Sequence, residues 1–232
     1  MSIAENVAKI REEMKKAALA AGRDPQDILL CAATKMNDAQ AVREAIAAGV
    51  DCCGENRVQE IQDKRPQGAY EGRPLHFIGH LQTNKVKYLV GVVDLIESVD
   101  RLELLECIEK QAAKCNVTQD ILFEVNIGAE ESKSGFTPED VLQMAAKMGA
   151  FPHVRLRGLM AIPPVSEKPG DNRRYFAEMR NLFVDISAKK YDNVSMDCLS
   201  MGMSDDYPDA IAEGATLVRV GTAIFGARHY NK

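Results

Sequence analysis

Lys35 ends a short apolar run and shares its parity with Leu29, Cys31 and Ala33, so it faces wherever they face. If that direction is a protein interior, the amine is partly desolvated, its pKa falls, and it becomes a nucleophile toward a carbonyl carbon. A lysine at such an edge also reaches solvent readily, and position alone does not separate the two roles. Far along the chain, Ser200-Met201-Gly202-Met203-Ser204 runs through Asp205 and Asp206 into a helical pattern, and Gly221-Thr222 follows another apolar run. Glycines that admit backbone N–H groups, with the hydroxyls of Ser200, Ser204 and Thr222, suit a phosphate, although serine and glycine before a helix are also ordinary caps. Arg219 shares parity with Leu217 and Gly221 and needs an acceptor, which a ring nitrogen, a phosphate or an interior carboxylate such as Glu55 or Glu124 would supply.

What positions these residues is a repeating unit of strand, turn and helix. Mostly apolar runs without strict alternation occur at 28–35, 50–56, 76–80, 95–99, 120–127, 156–162, 197–202 and 217–221, the pattern of strands buried on both faces of a parallel sheet. Between them, Tyr175, Phe176, Met179, Leu182, Phe183 and Ile186 form one helical stripe, as do Val141, Leu142, Ala145 and Met148 behind the cap Thr137-Pro138. Gly22, Gly49, Gly149 and Gly214 close helices. The amphipathic leader Ile3, Val7, Ile10, Met14 and Ala17 is expected to cover the bottom of the fold. Eight such units predict a single α/β domain over residues 1–232, a (β/α)8 TIM-type barrel with an extra N-terminal helix. An open doubly wound sheet competes, but no GxGxxG or GxxxxGK[ST] follows the first strand. Loops 64–74 and 163–172 read as surface connections.

In a barrel the site lies at the carboxyl ends of the strands, which here bear Lys35, Asn56, His80, Ser98, Asn126, Met160, Ser200 and the segment from Arg219 to Thr222. A nucleophilic lysine and a phosphate site at one mouth suit a phosphorylated sugar held as a Schiff base, or pyridoxal phosphate. Arg219 favours the second, because a pyridine nitrogen gives it an acceptor. His80 at a strand end is an acid, base or ring contact, or a structural hydrogen-bonded residue. Met160 either lies against a flat ligand or packs.

Composition narrows the classes. Twenty-nine basic against 34 acidic residues give a net charge of −5, which argues against nucleic acid as a partner. No apolar run reaches the ~20 residues of a membrane span, and the acidic leader resembles neither a secretory signal nor a transit peptide. Cys31, Cys52, Cys53, Cys107, Cys115 and Cys198 form no CxxC and have no histidine at ligand spacing. They read as reduced thiols of a cytoplasmic protein, with no metal expected. Adjacent Cys52 and Cys53 point to opposite faces of a strand and make poor metal ligands, and the glycosylation patterns at Asn116 and Asn193 are chance matches.

The chain resembles the pyridoxal phosphate homeostasis proteins, relatives of the N-terminal barrel of alanine racemase with fold-type III architecture. The resemblance extends to Arg228. It is carried by Ala32-Ala33-Thr34-Lys35, by Gly54-Glu55-Asn56-Arg57-Val58-Gln59-Glu60, and by the segment from His76 through His80 to Lys85. Glu131-Ser132-Lys133-Ser134-Gly135-Phe136, Gly158-Leu159-Met160, Ser200 to Asp206, and Arg219 to Gly226 complete it. Leu75 stands where the family often has Trp, and Met36-Asn37 departs from its usual residues after the lysine. The resemblance implies pyridoxal 5'-phosphate bound as a Schiff base on Lys35, with Arg219 facing the pyridine nitrogen. It implies phosphate contacts from Ser200, Ser204, Gly221 and Thr222, Asn56 near the ring, and Met160 and His80 lining the pocket. It further implies cofactor buffering or delivery without catalytic residues, transient contact with cofactor-dependent apo-enzymes, and a monomer. An arginine at the ring nitrogen makes a weak electron sink, and the chain ends soon after its last strand pattern, without the racemase's second domain. An amino-acid racemase and a cofactor-free aldolase remain the alternatives, and Lys85, Lys133 or Lys232 could hold a second cofactor molecule.

Overall fold

A computed structural model describes residues 1–130, 133–165, 168 and 170–226. Glu131, Ser132, Arg228 and Lys232 lie outside the described residues. The elements are α1 (Ile3–Ala20), β1 (Leu29–Ala33), α2 (Ala39–Ala47), β2 (Cys52–Glu55), α3 (Val58–Lys64), β3 (Leu75–Phe77), β4 (Leu95–Val99) and α4 (Leu102–Cys115). There follow β5 (Gln119–Val125), α5 (Pro138–Ala146), β6 (Val154–Ala161), α6 (Arg173–Lys189), β7 (Val194–Ser200), α7 (Tyr207–Ala212), β8 (Leu217–Val220) and α8 (Thr222–Phe225). The strands pair in parallel in sequence order, and β8 closes on β1 with Cys31 opposite Arg219. A 3-10 turn at Thr83–Tyr88 takes the place of a helix between β3 and β4.

Side chains alternate across each strand, which sorts the core into two compartments. Leu30, Ala32, Cys53, Phe77, Ile96, Phe123, Leu199 and Val218 point outward into one continuous core with the helices. There α6 buries Phe176, Met179, Leu182, Phe183 and Ile186, each side chain contributing about 1.5–3 kcal/mol. Cys31, Cys52 and Leu217 form one small interior cluster, and Leu95, Leu122 and Met160 another. In β6 the pairing slips between Leu156 and Gly158. Gly158 has φ +152°, and a Cβ there would stand 1.8 Å from the Cys198 carbonyl oxygen, so only glycine fits this bulge.

Two expectations need correction. The leader helix does not cover the bottom of the barrel. It packs on the flank against α2, α7 and α8, burying Val7, Ile10, Met14 and Ala18, with the Asn6 amide donating to the Ile224 carbonyl at 2.8 Å. Nor is the segment 64–74 a plain surface connection, because Lys64, Ala69 and Tyr70 are buried. The cysteines have a histidine partner in space although none in sequence. Cys31, Cys52 and His76 converge from three neighbouring strands, with ligand atoms within 4.8 Å of one another. Asn116 and Asn193 occupy left-handed turns at φ 53° and 59°, which explains the residue type without glycosylation.

Candidate cofactor site

The carboxyl ends of β1 and β8 lie side by side, and that neighbourhood places Lys35, Arg219 and Gly221. A Cβ at Gly221 would stand 3.3 Å from both the Cβ and the carbonyl oxygen of Ala33, so the turn after β8 runs close against the strand that carries Lys35. Gly221 caps the short α8, which Thr222 opens. Ser204 comes in from the loop after β7, its hydroxyl accepting from the Ala223 N–H at 3.4 Å. Ser204, Gly221 and Thr222 thus gather at one helix start, where the leading N–H groups lack intrahelical acceptors.

Lys35 is half-buried, and the residues on either side of it are held from behind by α3. Lys64 Nζ donates to the Thr34 carbonyl at 3.0 Å, and Glu60 accepts from the Met36 N–H at 2.7 Å. Lys64 also pairs with Glu55 at 2.8 Å, and the same Glu55 oxygen accepts from Thr34 Oγ1 at 2.6 Å and Tyr70 OH at 2.9 Å. Burial raises the Glu55 carboxyl above the usual carboxylate range, which the bonds from Lys64 and Thr34 offset only in part. Glu55 therefore faces outward to the helix layer and is not the interior partner considered for Arg219.

That partner is Glu97. Arg219 is 4 % exposed, Glu97 and Ser200 are fully buried, and the guanidinium lies 3.8 Å from Glu97 Oε2. Its NH2 donates to the Ala161 carbonyl at 2.9 Å, and its NH1 donates to the Ser200 hydroxyl. Ser200 in turn donates to Glu97 Oε2 at 2.6 Å, and His76 Nδ1 meets Glu97 Oε1 at 2.7 Å. Burial alone would raise the Glu97 carboxyl, but the His76 bond, the charges of His76 and Arg219, and Ser200 hold it below the ordinary range. The signal for Glu97 was present in the sequence as a lone carboxylate inside the apolar run Leu95–Val99, since such a group must be paired.

The remaining candidates spread around the mouth. Asn56 lies close under the loop after β3, where a Cβ on Gly79 would fall 2.3 Å from the Asn56 carbonyl oxygen. Among the described residues its side-chain Oδ1 is buried with no hydrogen-bond partner, as is Ser98 Oγ. His80 sits at the rim, with Nδ1 3.2 Å from Ser134 Oγ and 3.3 Å from Asp100 Oδ2. Met160 is wholly buried beneath the mouth with Leu95 and Leu122. Asn126 spends its amide on the Glu130 and Lys133 carbonyls, at 2.9 and 3.2 Å, and so shapes the loop after β5. Lys133 donates to the Pro163 carbonyl at 3.2 Å, and Lys85 stands 5.8 Å from the Tyr88 ring centre.

Glu124, half-buried in β5, is pushed up to about 7 by burial and by Asp100, against the opposing pull of Arg219. The folded state therefore keeps a proton that the unfolded chain releases near 4.5. This contribution to stability is complete below the unfolded value and is lost as pH rises through about 7. Glu124→Gln removes the ionisation, so its melting temperature relative to wild type should be higher at pH 8 than at pH 5. An equal difference at both would return the carboxyl to the ordinary range.

The chain is similar to known proteins over its whole length. A family described as alanine racemase, N-terminal domain, matches residues 2–229. The pyridoxal phosphate homeostasis protein of Aquifex aeolicus is 44% identical over 230 residues, covering 99% of this chain and 100% of that one. Its counterpart in Pseudomonas aeruginosa is 43% identical, covering 99% and 97%. PipY of Synechococcus elongatus, solved with pyridoxal phosphate bound, superposes with a TM-score of 0.83 at 32% identity, covering 97% and 100%.

Proposed function

Because the chain belongs to the pyridoxal phosphate homeostasis family, on the alanine racemase N-terminal domain fold, we propose that it binds pyridoxal 5'-phosphate at Lys35 and regulates the intracellular supply of that cofactor. The observation that carries this reading is the meeting of three features at the junction of β8 and β1: an amine at Lys35, a buried guanidinium at Arg219, and the Ser204, Gly221 and Thr222 turn. The residues fit the group, since the buried Asn56 oxygen beside the mouth has no partner among the described residues, and the glycine turn packs tightly where a larger residue would intrude.

When bound, the cofactor supplies an aldehyde carbon and an electron-withdrawing ring. Lys35 would supply the attacking amine, oriented through its neighbours Thr34 and Met36. Arg219 would donate to the ring nitrogen. A guanidinium keeps its protons, so it leaves that nitrogen unprotonated and the ring a poor electron sink, which favours carriage over turnover. Glu97 and Ser200 would hold the guanidinium from below. Ser204, Gly221 and Thr222 would take the phosphate, and Ser200 would join them only by turning its hydroxyl away from Glu97. Asn56 would contact the ring, with His80 at the rim and Met160 under the floor.

We place the protein in the cytoplasm, as a monomer that meets cofactor-dependent apo-enzymes transiently and catalyses nothing itself. All six cysteines are free thiols, in keeping with a reducing compartment, and among the described residues no helix is long and apolar enough to cross a membrane. The test is an absorption spectrum of the protein with pyridoxal phosphate, before and after borohydride, beside alanine and serine racemisation assays. A visible band that borohydride removes, with no racemisation, is expected. No band would overturn the cofactor reading, and efficient racemisation would replace the carrier with a catalyst.

A further inference from the structure

Cys31 and Cys52 have no part in the cofactor reading and His76 enters it only through Glu97, yet all three meet inside the barrel from three adjacent strands. Their two Sγ atoms and a ring nitrogen of His76 all lie within 4.8 Å of one another, and the residues are 0 %, 2 % and 7 % exposed. The strand register explains the meeting. Cys31 pairs directly with Cys52 across β1 and β2, and His76 pairs with Gly54, the next inward position of β2. Glycine at that position keeps the space open, since a Cβ there would stand 2.9 Å from the Cys31 sulfur.

The histidine is held as metal-binding histidines are. Its Nδ1 is engaged by Glu97 Oε1 at 2.7 Å, which fixes the ring and leaves Nε2 as the nitrogen a cation would take in exchange for a proton, the carboxylate–histidine arrangement found in zinc proteins. A cavity of about 490 Å³ at the amino-terminal end of the barrel reaches the cluster at His76, and the Asp120 and Asp197 carboxylates in its wall are paired with Arg157.

We propose that Cys31, Cys52 and His76 form a site for a thiophilic divalent cation, Zn²⁺ above all, inside the barrel and separate from the mouth. Sulfur and imidazole are the donors that select such ions over magnesium or calcium. The two thiols and the His76 ring each release a proton to solvent as the cation enters, so one dication replaces three protons and the net charge of the buried cluster falls by one. No electron moves. With Zn–S near ~2.3 Å and Zn–N near ~2.0 Å, a tetrahedral ion needs donors about 3.3–3.8 Å apart, and three protein ligands leave its fourth position open.

The test uses the reduced, metal-free full-length protein under argon, titrated with Co²⁺ and then Zn²⁺, with no pyridoxal phosphate present, so its outcome is independent of the cofactor reading. One equivalent of Co²⁺ should produce thiolate-to-cobalt charge-transfer absorption that Zn²⁺ displaces. Cys31→Ser and Cys52→Ser should each weaken binding at least ~100-fold, whereas exposed Cys115→Ser should not change it. X-ray absorption of the zinc-loaded wild type, which needs no variant to fold, should show two sulfur neighbours and at least one nitrogen. The proposal is overturned by the absence of a charge-transfer band, by a band that survives loss of both cysteines, or by a zinc shell of oxygen and nitrogen alone.

Discussion

Replacing Lys35 with alanine is expected to abolish the borohydride-sensitive visible band and to weaken pyridoxal phosphate binding at least ~100-fold, about 3 kcal/mol, because a covalent attachment is lost while the phosphate turn and Arg219 remain. The fold should survive. Lys35 is half-buried at the barrel mouth, outside the strand itself, and the network behind it uses the Thr34 carbonyl and the Met36 N–H, neither of which the substitution removes. Loss of the band should therefore come with little change in melting temperature. Equilibrium titration followed at the visible band and by quenching of protein fluorescence separates attachment from residual binding. A variant that keeps the band would move the attachment to another lysine and leave Lys35 with a structural role.

Lys64→Met should show the reverse pattern, a large loss of stability from a residue that holds the site from behind. Its ammonium bonds Glu55 at 2.8 Å, Glu60 at 2.7 Å and the Thr34 carbonyl at 3.0 Å, and it is 7 % exposed. Removing one member of a buried pair costs about 3–5 kcal/mol, because the other charge is left in a medium that cannot solvate it. Glu55 still receives Thr34 and Tyr70, and it takes up a proton readily, which limits the loss to the lower end of that range. About 3 kcal/mol corresponds to a fall of roughly 6–12 °C in melting temperature for a chain of this size. Glu55→Gln in the Lys64→Met background should cost less than the sum of the two single changes. Additive losses, or a Lys64→Met variant as stable as wild type, would show that the pair is not coupled. Since α3 pins both neighbours of Lys35, Lys64→Met should also lower cofactor affinity, though by less than Lys35→Ala.

The fold was legible because its rules are local. Runs of four to eight mostly apolar residues, separated by turns and helical patterns, read directly as buried parallel strands, and β4 was placed to the residue at Leu95–Val99. Elsewhere the error was of one to three residues at strand ends, as at β7, Val194–Ser200, where exposed polar residues such as Ser195 carry no apolar signal. The leader helix was recognised by its period, but its docking surface was not, since an apolar stripe says that a face is covered and not by what. The segment 64–74 was misjudged because a lysine and a tyrosine among prolines and glycines look solvent-bound until a buried carboxylate is known to lie opposite them.

Parity within a strand is a property of the chain alone. The sequence by itself therefore determined the eight-fold alternation of strand and helix and the inward direction of Arg219. Which inward residue meets which was decided only by the closed barrel. Arg219 found Glu97 rather than Glu55 or Glu124, Lys64 found Glu55 behind β2, and two cysteines and a histidine with no spacing motif came together. The reason is geometric. Period-two alternation sets the face on which a side chain lies, but contact across the barrel depends on register, on strand tilt and on bulges such as that at Gly158, all of which arise from pairing between distant segments.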